Sequence, residues 1–403
     1  MGRYAWFGTH CAGHISSDLW PCWCFANIPP GIFLCAGIRT CAGADPGSCS
    51  TLFQRDRRLN IPLIHTKILS RTVEIADQLC SKQDIDSCLR TLSLSREAIS
   101  GNSFLPYDVY AQFEAAASRK LGDSFFGVTL TKHSNYLDLG AYAEYVLAAS
   151  CLGDALKRGG NALSLINPGA RVDVSDADNH VILSFNSGLK DLPGAHYIDQ
   201  GMPLLLTEIP RYFLGQSWTP VWVGLPRRVL SGFDDAESMY SATCRYLETG
   251  AAIAIKKSDL EAPNPRKISF SETPLFGDLK NWLTPSGIPT STHDQVKNIL
   301  DVQLRIGDVA VDTIANRLRI GPRSLQRRLK TEGFNFREVL SEARHMRAKK
   351  LLEESQFPIS EVAYGLGYEE VNSFRRAFMN REGCTPTQYA AQHRVLAVDL
   401  LVQ

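Results

Sequence analysis

The side chains best suited to chemistry fall into two groups, one cationic and one rich in cysteine. Near the carboxy terminus, "PRSLQRRLKTEG" places Arg323, Arg327, Arg328 and Lys330 around Leu325 and Leu329, which lie four apart on one helical face. Further on, "VNSFRRAFMNREG" repeats the arrangement, with Phe374 and Phe378 four apart and Asn372, Ser373, Arg375 and Arg376 on the other faces. Guanidinium groups held on the outside of a short helix suit phosphate oxygens and the O6/N7 edge of guanine, and Gln326 has the matching geometry for adenine. From Arg317 to Lys350 the only acids are Glu332, Glu338 and Glu342, so a basic stripe stands inside a chain of formal net charge +1. Local positive charge in a near-neutral chain is the footprint of a nucleic-acid partner.

The second group lies at the other end. Six of the 11 cysteines, Cys11, Cys22, Cys24, Cys35, Cys41 and Cys49, fall within residues 1–50. With His10 and His14 they offer zinc ligands, but without the paired C-x-x-C common in structural zinc modules. Trp20–Ile38 is uncharged, yet Pro21, Pro29 and Pro30 break it and Asp18 precedes it, which argues against a membrane or signal segment. Residues 1–60 are therefore expected to be a disordered leader, or the product of a start assigned too far upstream, with no metal. An odd cysteine count in a long chain reads as reduced, intracellular and cytoplasmic. A length of 403 residues allows two or three domains, and 44% hydrophobic with 21% charged residues is ordinary for a soluble globular protein.

The cationic residues need a scaffold, and the periodicity supplies one. Val311, Ile314, Ala315 and Leu318 make one apolar helical face; Arg319–Gly321 is a short break; Pro322 then stands at a first-turn position, where its missing N–H costs nothing. Helix, tight break and short cationic helix form a helix-turn-helix, whose second helix enters the major groove. Ile359, Val362, Ala363 and Leu366, closed by Gly367 and followed by Val371–Glu382, form a second such unit. Between them "NFREVLSEARHMRAKKLLEES" reads as one helix of roughly 30 Å, close to the roughly 34–36 Å between successive major grooves on one face of a duplex. Arg328 and Arg347 are expected to be solvated or paired with Glu332 and Glu342.

Upstream, Tyr107–Leu121 and Leu139–Arg158 are predicted helices. Arg171–Val174 and Val181–Phe185 are predicted strands joined by an Asp/Asn turn. Met202–Gly215 is predicted helical, "VWVGLP" a buried strand, Asp234–Glu248 a helix and "GAAIAIKK" a last strand. This gives an α/β or α+β domain over residues 61–262. Residues 263–294, with five prolines among Ser, Thr and Gly, have linker composition, and an all-α domain with two helix-turn-helix units follows over 295–395. The middle domain holds no G-x-G-x-x-G, G-x-S-x-G, H-E-x-x-H or P-loop, and His133, His180 and His196 are isolated, so no catalytic residue, cofactor or enzyme activity is expected.

"SLQRRLKTEG", "ISEVAYGLGY", "SFRRAF" and "GCTPTQY", in this order and spacing, resemble the DNA-binding domain of the AraC/XylS family of bacterial transcription regulators. More faintly, Leu137–Gly140, the helix after it and "KKSDLEAPNP" resemble the arabinose-binding-type regulatory domain of one branch of that family. The resemblance implies a transcription regulator that binds double-stranded DNA, senses a small-molecule effector, self-associates as a homodimer and contacts RNA polymerase, with no membrane attachment. By position it makes Arg323, Gln326 and Arg327 base readers, with Ser324 beside them and Lys330 a phosphate contact; Asn372, Ser373, Arg375 and Arg376 occupy the same surface in the second unit. Three residues depart from the family pattern. Arg319 stands where Gly is usual, at about 1 kcal/mol if its φ is positive. Gly321 replaces a Ser cap, at a few tenths of a kcal/mol. Glu369 and Glu370 suit the dipole of the second reading helix but repel phosphate. The competing reading is a DNA-repair alkyl-transfer protein with a cysteine zinc module, against which "WPCWC" lacks the Pro-Cys-His nucleophile motif.

Overall fold

The computed structural model describes residues 61–189, 192–230, 236–266, 275–285, 287–354 and 357–399. The leader, zinc and membrane readings of residues 1–60 lie outside them.

Strands β1 (Leu63–His65) and β2 (Phe104–Pro106) pair antiparallel, and between them run helices α1 (Thr66–Leu79), α2 (Lys82–Thr91) and α3 (Arg96–Ile99). Polar side chains set the three helix starts: His65 Nδ1, Ser81 Oγ and Ser95 Oγ accept from the N–H groups of Lys67, Asp84 and Ala98. Helices α4 (Tyr107–Leu121), α5 (Phe126–Lys132), α6 (Ala141–Leu147) and α7 (Leu152–Ala162) follow. Leu139–Arg158, expected as one helix, is thus two. The break is held from outside, since Asn264 Nδ2 donates to the carbonyls of Leu147 and Ala149, both at 2.7 Å.

Strands β3 (Arg171–Ala177) and β4 (His180–Asn186) form the antiparallel hairpin that the Asp/Asn turn predicts. After α8 (Ala195–Leu214) come β5 (Val223–Pro226), α9 (Arg227–Leu230), α10 (Ala236–Tyr240), β6 (Cys244–Leu247) and β7 (Ala251–Lys256). The sheet order is β3-β4-β7-β5-β6, antiparallel except for β5 with β6. The helix expected over Asp234–Glu248 is corrected here: among the described residues of that range only Ala236–Tyr240 is helical, and Cys244–Leu247 extends because β5 offers it a parallel edge. Val181, Leu183 and Phe185 of β4, with Ile253 and Ile255 of β7, turn to the face that α7 and α8 cover. Edge strand β3 is polar and largely exposed, as an unpaired edge requires. Helices α5 and α8 meet backbone to backbone: a Cβ on Gly127 would lie 1.9 Å from the Tyr197 carbonyl oxygen, so only glycine fits.

The proline-rich segment contains a further helix, α11 (Phe276–Leu283), whose Leu279 and Leu283 enter the same core. His65 ties it down. Its Nδ1 accepts from Lys67, so Nε2 carries the proton and donates to the Leu283 carbonyl at 3.0 Å. Burial pushes the His65 pKa down to about 4, so the ring is neutral near pH 7.

The remaining helices are α12 (Thr292–Gln303), α13 (Val311–Arg317), α14 (Pro322–Thr331), α15 (Phe336–Glu354), α16 (Ile359–Gly365), α17 (Val371–Glu382) and α18 (Pro386–Asp399). They build two small cores. The first joins Ile299, Leu300, Ile314, Leu318, Leu325 and Leu329; the second joins Val362, Ala363, Leu366, Phe374, Phe378 and Tyr389. Helix α15 belongs to both, giving Val339 and Ala343 to the first and Ala348 and Leu352 to the second. The architecture is an α/β domain with sheets followed by a helical helix-turn-helix region.

Candidate nucleic-acid interface and ligand cavity

Helix α14 begins on Gly321, which provides no side-chain cap, with Pro322 at its first position. Leu325 and Leu329, both 0% exposed, fix its inner face. That leaves Arg323, Gln326, Arg327 and Lys330 exposed along one stripe, at steps of three and four, with Ser324 half-buried beside them. Helix α17 copies this geometry: Phe374 and Phe378 are buried, Asn372, Arg375 and Arg376 are exposed, and Ser373 is half-buried. The position that Lys330 holds on α14 is taken on α17 by Met379, so the second stripe carries less charge. Glu370 is the N-cap residue of α17 and makes no side-chain cap bond.

Several arginines next to these stripes turn away from them, toward the regulatory domain. Arg319 has φ of +53°, the backbone shape glycine would adopt without strain. Its Nε and Nη2 donate to Asp108 Oδ2 on α4, at 3.2 and 2.6 Å. Arg317 Nη2 donates to the Leu92 and Ser93 carbonyls. Arg347 corrects the expectation that it pairs with Glu342: it is 8% exposed and its Nη2 lies 3.3 Å from Glu97 Oε1 on α3. Glu342 is engaged instead by Lys297 and His293. Arg328 likewise does not pair with Glu332, whose carboxylate accepts the N–H groups of Thr292 and His293, at 2.9 Å each, at the start of α12. Helix α12 completes the junction. Asp301 accepts from Ser103 Oγ at 2.6 Å, and Val302 is buried in the regulatory domain's helical core.

Helix α4 also lines a cavity of about 150 Å³. Its wall is mostly apolar, built from α4, α7, α8 and the covered face of the sheet, with the rings of Tyr107, Tyr110, Tyr136 and Tyr142 among its lining. Buried Thr72, Glu114 and Asn167 line it as well. Glu114, 3% exposed, is hydrogen-bonded by the Tyr110 hydroxyl, which in turn accepts from Thr72 Oγ1 at 3.2 Å. Glu114 Oε2 and Asn167 Oδ1 have no partner among the described residues. Burial pushes the Glu114 pKa up to about 8. Burial also raises Asp199, on α8, to about 6, although Arg228 lies 3.3 Å away. Sequence reasoning assigned no effector residue. The available signal was an acid, Glu114, inside the apolar run "AQFEAAA" of a helix.

Among the described residues no helix is long and apolar enough to cross a membrane, and no group of three His, Cys, Asp or Glu side chains could hold a metal ion. Cys80, Cys88, Cys151, Cys244 and Cys384 are free thiols.

Comparison with known proteins gives this arrangement a class. Residues 314–392 match the model of a helix-turn-helix domain, and residues 83–264 match that of the arabinose-binding domain of AraC transcription regulator, N-term. The HTH-type transcriptional regulator VirS of Mycobacterium tuberculosis is 25% identical over 299 residues, 72% of this chain and 85% of that protein. The ornithine utilization regulator of Pseudomonas aeruginosa is 24% identical over 304 residues, with the same two coverages. An uncharacterized HTH-type transcriptional regulator of Bacillus subtilis, YtdP, is 31% identical over 162 residues, 37% of this chain and 21% of that protein. Among solved structures, the transcriptional regulator CdpR from Pseudomonas aeruginosa matches 66% of this chain and 86% of its own at 22% identity, with a TM-score of 0.30.

Fold, site and matched domains define a transcription regulator with a helix-turn-helix DNA-binding domain and an effector-binding domain of the arabinose-binding type. Within that class the chain is similar to the AraC transcription regulators that the matched N-terminal domain model describes. The alkyl-transfer reading finds no support among these relatives, and the cysteines on which it rested lie outside the described residues.

Proposed function

We propose that the chain reads two successive major grooves of double-stranded DNA, Arg323, Ser324, Gln326, Arg327 and Lys330 facing one and Asn372, Ser373, Arg375 and Arg376 the next. The observation that carries this reading is the pair of matching exposed stripes on α14 and α17, whose buried faces each share a small core with α15. At 19 residues α15 is about 28 Å long, close to the roughly 34–36 Å groove repeat. The effector-binding/dimerisation domain spans 61–262, the connection 263–294 and the double helix-turn-helix domain 295–395. In this reading the protein acts in the cytoplasm as a homodimer that contacts RNA polymerase and catalyses no reaction of its own. Occupancy of the α4 cavity is passed to the reading domain through Asp108 and Arg319, since one helix lines the cavity and holds the ion pair. Selection of bound sequences from random duplexes by the full chain tests the first part. A site of two short elements about one helical turn apart is expected; a single element, or no preference, refutes it.

A further inference from the structure

The α4 cavity restricts the chemistry of what can fill it. Its apolar walls and modest volume suit a compact hydrocarbon or aromatic body rather than a sugar, whose many hydroxyls would each need a partner. The unpartnered polar groups in its lining are more specific. Glu114 Oε2 and Asn167 Oδ1 are both buried and both unpartnered. The Asn167 side chain already bonds the Tyr107 hydroxyl, which leaves its carbonyl oxygen as a pure acceptor. A buried polar oxygen without a partner is costly, and two lining one cavity ask for a ligand whose polar group can serve both. Five tyrosines, Tyr107, Tyr110, Tyr136, Tyr142 and Tyr197, line the same space, and aromatic rings of this kind attract a cation. Among the described lining residues Arg71 is the one cation, and it is already taken by Glu74 at 2.6 Å and Asp138 at 2.7 Å.

We propose that this cavity takes a primary amine, an ammonium group on a compact apolar body, with its N–H groups shared between Glu114 and Asn167. The proposal rests on the reading that this domain binds an effector, and it adds the effector's chemical class. The charged and titratable groups facing Glu114 agree with it: Tyr107 and Tyr110 on the same helix are held neutral by burial, and Asp199 on α8 contributes further negative potential. With Glu114 at about 8 in the free protein, an ammonium ligand must displace the carboxyl proton, so binding below that pH releases one proton.

The test uses the full chain, with hexylamine and 2-phenylethylamine as probes and hexanol, 2-phenylethanol and hexanoate as matched controls, read by calorimetry and thermal shift. Amines are expected to bind and the controls not. Amine affinity should rise about tenfold per pH unit toward pH ~8 and level off above it. Glu114→Gln should weaken amine binding by about 10- to 100-fold, since it removes a charge-assisted bond. Asn167→Ala should weaken it by less, and the wild-type pH profile stands even if a variant fails to fold. Controls that bind as well as the amines, or affinity that falls through pH 8, would overturn the proposal by making Glu114 a neutral donor. If amines fail while a sugar, amino acid or fatty acid alters operator binding, the amine class is wrong and the effector reading survives. If no class alters it, both are wrong.

Discussion

Arg319 allows two energies that usually travel together to be separated. Its φ of +53° costs about 1 kcal/mol relative to glycine, and its guanidinium, 39% exposed, meets an Asp108 carboxylate that is 9% exposed. A pair so placed is worth about 1–2 kcal/mol, more than a surface bridge because Asp108 would otherwise sit almost buried against the Gln112 amide at 2.8 Å. Arg319→Ala removes the bridge and keeps the strained backbone, so it should lose about 1–2 kcal/mol. Arg319→Gly removes both, so the terms nearly offset and stability should stay within about 1 kcal/mol of the parent. The two variants should thus differ by about 1 kcal/mol in urea denaturation, glycine the more stable. Operator binding should treat them alike, because each cuts the same link from α4, and in both the effector should change operator affinity less than in the parent. Equal stability of the two would show that residue 319 bears no strain. A full effector response in both would remove Asp108–Arg319 from the path between cavity and reading helix.

The remaining expectations are more local. Arg327→Ala should weaken specific binding by about 1–3 kcal/mol and relax one base position, measured by sequence selection; an unchanged preference removes Arg327 from the readers. Lys330→Ala should weaken all duplexes alike and flatten the slope of log K against log salt by about one unit; a slope that stays put takes Lys330 out of the phosphate contacts. His65 is neutral in the fold, with a pKa near 4 against about 6.5 in the unfolded chain. The unfolded state therefore binds more protons between those values. The stability His65 contributes is present above pH 6.5 and lost as pH falls toward 4, by up to about 3 kcal/mol. Denaturation at pH 7 and pH 4.5 measures this loss, and in His65→Asn it should shrink. An undiminished loss would assign it to the carboxylates.

Helices α14 and α17 were legible in the sequence because their signals are local. Leu325 with Leu329, and Phe374 with Phe378, are spaced for one helical face, Pro322 marks one start, and what those pairs leave outside is cationic; the bounds of α4 and α17 followed from the same short-range pattern. Pairing across distance was not legible. Cys244–Leu247 reads as the end of a helix until β5 lies parallel to it, and Leu139–Arg158 reads as one helix until Asn264, far along the chain, takes the carbonyls at its middle. Arginine is the clearest case. Composition shows that residues 317–350 are basic, yet a long flexible cation points wherever a partner waits. Tertiary packing alone sends Arg327 outward while it turns Arg317, Arg319 and Arg347 onto the carbonyls of Leu92 and Ser93, Asp108 and Glu97. The cavity is the same lesson from inside. Glu114 is one acid in an apolar helix until α7, α8 and the sheet close around it, and only that enclosure takes away its water and leaves an oxygen without a donor.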